Sequence, residues 1–295
     1  MIISNSNIAV VAYDAGAANH IFSWLKTGYI DIGKVHFCVA GPASKICAQL
    51  FPDFVNNKLE RVLNAASVLI SGTGWMSSLE HKARCLAVTN NIRSIAVLDH
   101  WTNYRERFIR EGFELLPDEV WVVDEYAYDI AQQSLPNVAV ALQRNDFIAS
   151  QLRDIEEFNY DKTQGYKILF VMEPIRLEWG DVDTPREFQA LQYFIENMSL
   201  LGLNDEVEIK IKPHPSDPIS KYDSFNMESE KLDIKVDALI SLAEAIAWSN
   251  IVVGCQTYAM VVALAASKQV VSTLPPIAPS CQLPQKEIIV LNKLV

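Results

Sequence analysis

The chain has little of several things that would fix its class at a glance. It holds only five cysteines in 295 residues, Cys38, Cys47, Cys85, Cys255 and Cys281. The count is odd and no two stand in CxxC spacing. That excludes a disulfide-framed secreted module and a zinc ribbon, and leaves reduced thiols. There is no basic excess: 25 Lys and Arg against 36 Asp and Glu give a net charge of −11. No basic block of five occurs, so phosphate neutralisation along a nucleic acid is excluded as the main activity and no nucleic-acid partner is expected. A pocket for one phosphate is compatible with that balance. There is no long apolar run either. Residues 251–266 come nearest, but Gly254, Gln256 and Thr257 interrupt them, and they are too few to span a bilayer. The first seven residues lack a basic stretch, so no secretory leader is expected. The expected location is the cytoplasm, with peripheral association at a membrane compatible.

What is present is ordinary globular composition, 50% hydrophobic and 21% charged, which excludes a disordered or collagen-like chain. At roughly 150 residues per domain the length suggests two domains or one large α/β unit. Such a chain buries about three quarters of its unfolded surface and needs no covalent staples.

Short β-branched runs alternate with helical spacing. Strands are expected at residues 8–12, 35–39, 68–70, 94–98, 119–123 and 138–142, with helices at 16–26 and 75–87. In the latter, Leu79, Ala83, Leu86 and Ala87 recur at helical period. Residues 151–166 are polar and charged and read as a linker between an N-terminal domain at 1–150 and a C-terminal domain at 167–295. The rhythm then restarts, with strands at 167–172, 207–211, 251–253 and 269–272 and helices at 185–198, 237–248 and 257–266. Strand–helix alternation implies parallel sheets covered by helices on both faces. The expected fold class is α/β, two Rossmann-like domains with a ligand crevice between them.

In open parallel sheets, ligands bind beyond the carboxyl ends of the strands. The residues following each strand are therefore the candidate site. They include Asp14 and Gly16, then Gly72, Thr73 and Gly74, then Asp99 and His100, then Glu173, then Lys212 and His214, and finally Gln256 and Thr257. The Ser71-Gly-Thr-Gly74 turn lets backbone N–H groups approach an anion, or simply packs a helix close to its strand. Ser77 stands where a dinucleotide fingerprint needs its third glycine. Asp99 can take a proton from a hydroxyl or attack an anomeric carbon, or it can cap a following helix. If the strand continues, His100 points the other way from Asp99. Lys212-Pro-His-Pro-Ser-Asp-Pro218 places three prolines in six residues. They stiffen the loop and present the His214 ring, which suits donation to a departing phosphate. Gly254-Cys-Gln-Thr257 opens an apolar helix whose N-terminal N–H groups need a partner, a phosphate or the Thr257 side chain. Trp101, Tyr104 and Trp179 look exposed, and would line an acceptor groove or a subunit contact.

Two Rossmann-like halves, a polar linker and Lys-Pro-His-Pro before a Gly-x-x-Thr helix resemble the GT-B superfamily of sugar-nucleotide glycosyltransferases. The His-Pro element and Thr helix are similar to the CMP-binding half of bacterial sialyltransferases and Kdo transferases. That resemblance implies an enzyme of bacterial surface polysaccharide synthesis. It would move an acidic ulosonic sugar from a CMP-activated donor to a glycan hydroxyl, without metal or resident cofactor. Its partners would be the nucleotide-sugar donor and the glycan acceptor. Asp99 matches the placement of the catalytic acid, with Asp14 as competitor, and His214 and Thr257 would hold the donor phosphate. The sialyltransferase Asp-Asp-Gly motif is replaced by Asp99-His-Trp101. Residues 261–264 carry no acid to hold a ribose, which speaks against a UDP donor. A 2-epimerase-like isomerase or hydrolase drawing on Asp14, Asp99, His100 and Glu173, and a non-catalytic nucleotide-sugar binder, are the alternatives.

Overall fold

The computed structural model describes residues 6–160, 165–175, 178–203, 207–214, 217–222 and 232–295. The chain divides into two compact units, Met1–Phe147 and Ile148–Val295. Each is built on a six-stranded parallel sheet, as the strand–helix alternation predicts.

In unit 1 the strands are β1 (Ile8–Ala12), β2 (Val35–Val39), β3 (Val68–Ser71), β4 (Arg93–Val97), β7 (Glu119–Val122) and β8 (Ala139–Leu142), in the order β2-β1-β3-β4-β7-β8. A two-stranded antiparallel hairpin, β5 (Ile109–Arg110) and β6 (Phe113–Glu114), stands apart from this sheet. Glu111 and Gly112 both take positive φ at its turn, the backbone that a tight two-residue hairpin requires. Helices α1 (Ala15–Lys26), α2 (Gly41–Leu50), α3 (Leu59–Asn64), α4 (Leu79–Thr89) and α5 (Glu125–Ser134) follow strands or connect them. β1 and β3 are buried at every position. Central parallel strands are covered on both faces and so read as unbroken apolar runs. Ile8, Val10 and Ala12 face one cluster with Ile21, Phe22, Trp24 and Phe37, while Ala9 and Val11 face a second with Val62, Leu63 and Leu69.

Unit 2 orders its strands β11-β10-β9-β12-β13-β14. These are β9 (Tyr166–Val171), β10 (Val207–Lys212), β11 (Leu232–Val236), β12 (Ile251–Gly254), β13 (Gln269–Ser272) and β14 (Ile289–Val290). Its helices are α7 (Arg186–Asn197), α8 (Leu242–Trp248) and α9 (Tyr258–Ala265).

Three expectations are corrected locally. The stretch read as a linker is helical at its start, because α6 spans Asp146–Glu156; residues 161–164 lie outside the described residues. The helix expected from residue 75 begins at Leu79, with Ser77 Oγ accepting the Leu79 N–H. The helix expected from 237 begins at Leu242. Asp237 instead folds a turn by accepting the N–H groups of Leu239 and Ile240, and Ser241 caps the helix through the Glu244 N–H. Asp and Ser bind nearby backbone donors outside helices better than within them.

Candidate functional site

The carboxyl edge of the unit 1 sheet gathers a dense set of charges. Asp14 and Gly16 follow β1, Gly72, Thr73 and Gly74 follow β3, and Asp99 and His100 follow β4. β1 pairs with β3 and β3 with β4, so these loops are neighbours. Asp14 stands at the N-terminus of α1 without capping it through its side chain. Burial and the nearby Asp99 charge raise its pKa above the usual carboxylate range, against the opposing pull of Arg107 and Arg110. Asp99 does not cap a helix. It is ion-paired to Arg107 at 3.1 Å. Arg107 also donates to the Thr102 carbonyl and to Thr73 Oγ1. Thr73 in turn donates to the Val97 carbonyl.

The glycines here make room for carboxylates. A Cβ on Gly16 would lie 1.7 Å from Asp99 Oδ2, and one on Gly74 would lie 1.9 Å from Asp14 Oδ2. The anion cradled by the Gly72–Gly74 turn is internal. Glu80, from the first turn of α4, accepts the Tyr13 N–H at 2.9 Å and the Gly74 N–H at 2.6 Å. Burial raises the Glu80 pKa. Arg84, one turn further along α4, is also buried and donates to Ser71 Oγ and the Gly72 carbonyl. Arg110 donates to the Gly74 carbonyl and lies over the Trp75 ring.

β4 ends at Val97, so the strand alternation expected to separate Asp99 from His100 stops before either. His100 Nδ1 meets Thr102 Oγ1 at 3.2 Å, and burial lowers the His100 pKa. The aromatics expected to be exposed are buried: Trp101, Tyr104 and Trp179 are 6%, 2% and 7% accessible. Trp101 Nε1 donates to Asp124, which caps α5 through the Ala127 N–H. Trp179 packs with Ala190, Cys255 and Leu274. Large aromatic faces gain more from burial than from display.

In unit 2, β9 lies between β10 and β12, with Val171 opposite Lys212 and Phe170 opposite Val253. Glu173 and His214 therefore stand at matching positions beyond adjacent strands, with Glu173 beside the start of α9. Glu173 Oε2 accepts the Gln256 N–H at 3.2 Å, and burial pushes the Glu173 pKa up to about 7. The Lys212 ammonium donates to the Ile240 carbonyl at 2.6 Å. His214 is half-buried, and burial lowers its pKa. Its carbonyl accepts the Asp217 N–H, and Asp217 is held by Tyr222 Oη and Lys221. Lys221 also pairs with the buried Glu187 of α7. Pro215 and Ser216 of the proline-framed loop lie outside the described residues. Thr257 stands at the N-terminus of α9 and makes no side-chain capping bond. Among the described residues no group of three His, Cys, Asp or Glu could hold a metal ion, and no helix is long and apolar enough to cross a membrane.

Glu80, Arg84 and Arg107 were not singled out from sequence. The signal for the first two was there. Glu80, Ala83, Arg84 and Ala87 share one face of α4, and a charged pair inside an apolar stripe is a burial signature. Arg107 has no such pattern, since it sits in a short irregular connection between β4 and β5.

No family model and no curated protein matches the chain. Solved structures do. UDP-GlcNAc 2-epimerase from Neisseria meningitidis, bound to UDP-GlcNAc, is similar with a TM-score of 0.59 at 11% identity, over 94% of this chain and 84% of that one. MurG from Acinetobacter baumannii is similar with a TM-score of 0.53 at 11% identity, over 98% and 89%. The glycotransferase of kitacinnamycin is similar with a TM-score of 0.56 at 12% identity, over 97% and 86%. The chain thus has the paired parallel-sheet α/β fold expected from its GT-B resemblance.

Proposed function

We propose that the protein is a glycosyltransferase that uses a nucleotide-activated sugar, with unit 1 receiving the acceptor hydroxyl and unit 2 the donor phosphate. The observation that carries this reading is the pair of unequal carboxylates at the unit 1 sheet edge. Asp99 is tied to Arg107, whereas Asp14 faces no ion-pair partner among the described residues and has a raised pKa. A carboxylate held by a guanidinium is fixed in place and suits an orienting role, and an acid with a raised pKa suits proton transfer. This supports giving the base to Asp14 and an orienting role to Asp99, the reverse of the order expected from sequence.

In the reaction, an Asp14 oxygen takes the acceptor hydroxyl proton and the acceptor oxygen bonds to the anomeric carbon. The bond from that carbon to the donor phosphate oxygen breaks, and its electron pair leaves with the phosphate. His214, the Thr257 hydroxyl and the N-terminal N–H groups of α9 stabilise that departing charge. Lys212 supports this side through its hold on Ile240. Within this reading the donor is a CMP-activated acidic sugar, of the Kdo or sialic-acid kind, because residues 261–264 supply no acid for a UDP ribose.

A second reading, a nucleotide-sugar 2-epimerase, is favoured by Glu173. An acid with a pKa of about 7 is suited to giving and taking protons near neutrality. The test is incubation with CMP-Kdo, CMP-sialic acid and UDP-N-acetylglucosamine, each with and without a glycan acceptor. Transfer is expected only with acceptor. Conversion of the sugar without acceptor supports the epimerase. Binding without any turnover overturns both.

A further inference from the structure

We propose that Glu80 is the positioning residue of the unit 1 carboxylates, binding the loop that carries Asp14 to the loop after β3 by accepting one backbone N–H on each of its two oxygens. Its role in the reaction rests on the glycosyl-transfer reading; its structural role does not.

Glu80 is 1% accessible, and an acid that deep in a fold is costly unless its oxygens are satisfied. Oε1 takes the N–H of Tyr13, the residue before Asp14, and Oε2 takes the N–H of Gly74, the residue before Trp75. The Asp14 carboxylate lies against this same loop, its Oδ2 1.9 Å from where a Cβ on Gly74 would stand. Glu80 therefore ties together the two loops that meet where Asp14 lies against Gly74. Two glycines are shaped around it. A Cβ on Gly72 would stand 2.3 Å from Oε1, and one on Gly74 would stand 3.1 Å from Oε2. Arg84 supplies the nearby positive charge and is anchored on the same loop through Ser71 and the Gly72 carbonyl. A Glu four residues before an Arg on one helix is commonly a solvated surface pair worth a few tenths of a kcal/mol. Here both members point inward and hold loops instead of each other. The Asp14 charge adds to burial in raising the Glu80 pKa, so the two acids are close enough to interact as well as being linked through the backbone.

The test uses Glu80→Gln, which keeps the shape but turns an amide NH2 toward one of the two N–H donors. Amide hydrogen exchange of the folded, ligand-free protein reads the positioning directly. At least one of the Tyr13 and Gly74 amides is expected to exchange at least ~10-fold faster while the core amides of β1 and β3 stay as in wild type. Titration of the Asp14 carboxyl carbon by NMR, assigned with Asp14→Asn, is expected to shift from its wild-type position because the loop against that carboxylate is displaced. A merely structural role would leave that titration where it is. The double variant E80Q/R84M removes both buried charges, and repeats both measurements should Glu80→Gln alone not fold. Wild-type exchange at both amides with an unchanged Asp14 titration overturns the proposal. Altered exchange and titration in a protein that transfers no sugar from any donor leave Glu80 as the positioning residue and overturn the functional reading alone.

Discussion

The two units place acids at the same edge of the same kind of sheet and surround them differently. In unit 1, Asp14, Asp99 and Glu80 lie among Arg84, Arg107 and Arg110, and glycines clear space for the carboxylates. In unit 2, Glu173 takes one N–H, and burial drives its pKa up to about 7. The glycine nearest this edge, Gly254, clears space for Val171 and Met260 rather than for an acid. The Asp99–Arg107 ion pair holds one carboxylate in fixed geometry, whereas burial raises the pKa of Asp14, Glu80 and Glu173 alike. The difference lies in the neighbours: arginines and accommodating glycines around the unit 1 acids, and a single backbone N–H at Glu173 in unit 2.

The sharpest way to break this contrast is to remove a cation from unit 1. Arg107→Met leaves the part-buried Asp99 unpaired, and is expected to cost about 2–3 kcal/mol of stability, less than for a fully buried pair. Asp99→Asn in the same background should restore most of that loss, as measured by urea unfolding. Equal stabilities of the single and double variants would show that the pair is not a compensated one.

Turnover gives the next largest effect. Asp14→Asn is expected to lower transfer at least ~100-fold with little change in donor affinity, since a base acts on the transition state. Asp99→Asn should lower it less. The opposite ranking would return the base to Asp99. Because the Asp14 pKa is raised, the acid limb of the rate profile should lie above the ordinary carboxylate range.

On the unit 2 side, His214→Ala is expected to weaken CMP binding roughly ten- to a hundredfold, through loss of a charge-assisted hydrogen bond to phosphate. Calorimetry on the folded variant reads this directly, and unchanged affinity for both CMP and UDP would remove His214 from the phosphate site.

The smallest effect is the pH dependence carried by Glu173. Its pKa rises from 4.5 to about 7 on folding, so the folded chain holds a proton that the unfolded chain has released. That contribution is fully present below about 4.5 and is lost as pH rises through about 7. Glu173→Gln should therefore be more stable than wild type at pH 8 by about 1–2 kcal/mol, a figure discounted for partial exposure, and no more stable at pH 4. Parallel stability curves for the two proteins would mean that Glu173 is solvated.

Much of the fold was legible in the residues. β1, β2 and β13 fall on the expected positions, and the remaining expected strands shift by only a residue or so at their ends, because buried parallel strands are short apolar runs between turn residues. The missed elements have other causes. α2 opens on Gly41 and Pro42 after a weakly periodic stretch, and α3 is a six-residue turn of helix. Pattern is weak at such lengths. Of the site, the loop residues beyond the strands were legible because topology alone puts them at the carboxyl edge. Their partners were not. Nothing local ties Arg107 to Asp99, or Glu80 to the N–H of Tyr13, 67 residues away.

The amino-acid sequence by itself determined the parallel α/β class, the positions of most strands and the set of loops that meet at each sheet edge. Each of these follows from periodicity, turn chemistry and the handedness of strand–helix–strand connections. Only the tertiary structure decided which carboxylate is tied to an arginine, which glycines make room for an acid, and which aromatics are buried. Those outcomes depend on distances between side chains far apart in the chain. The energy of a charge is set by what surrounds it after folding, and residue identity alone does not carry that.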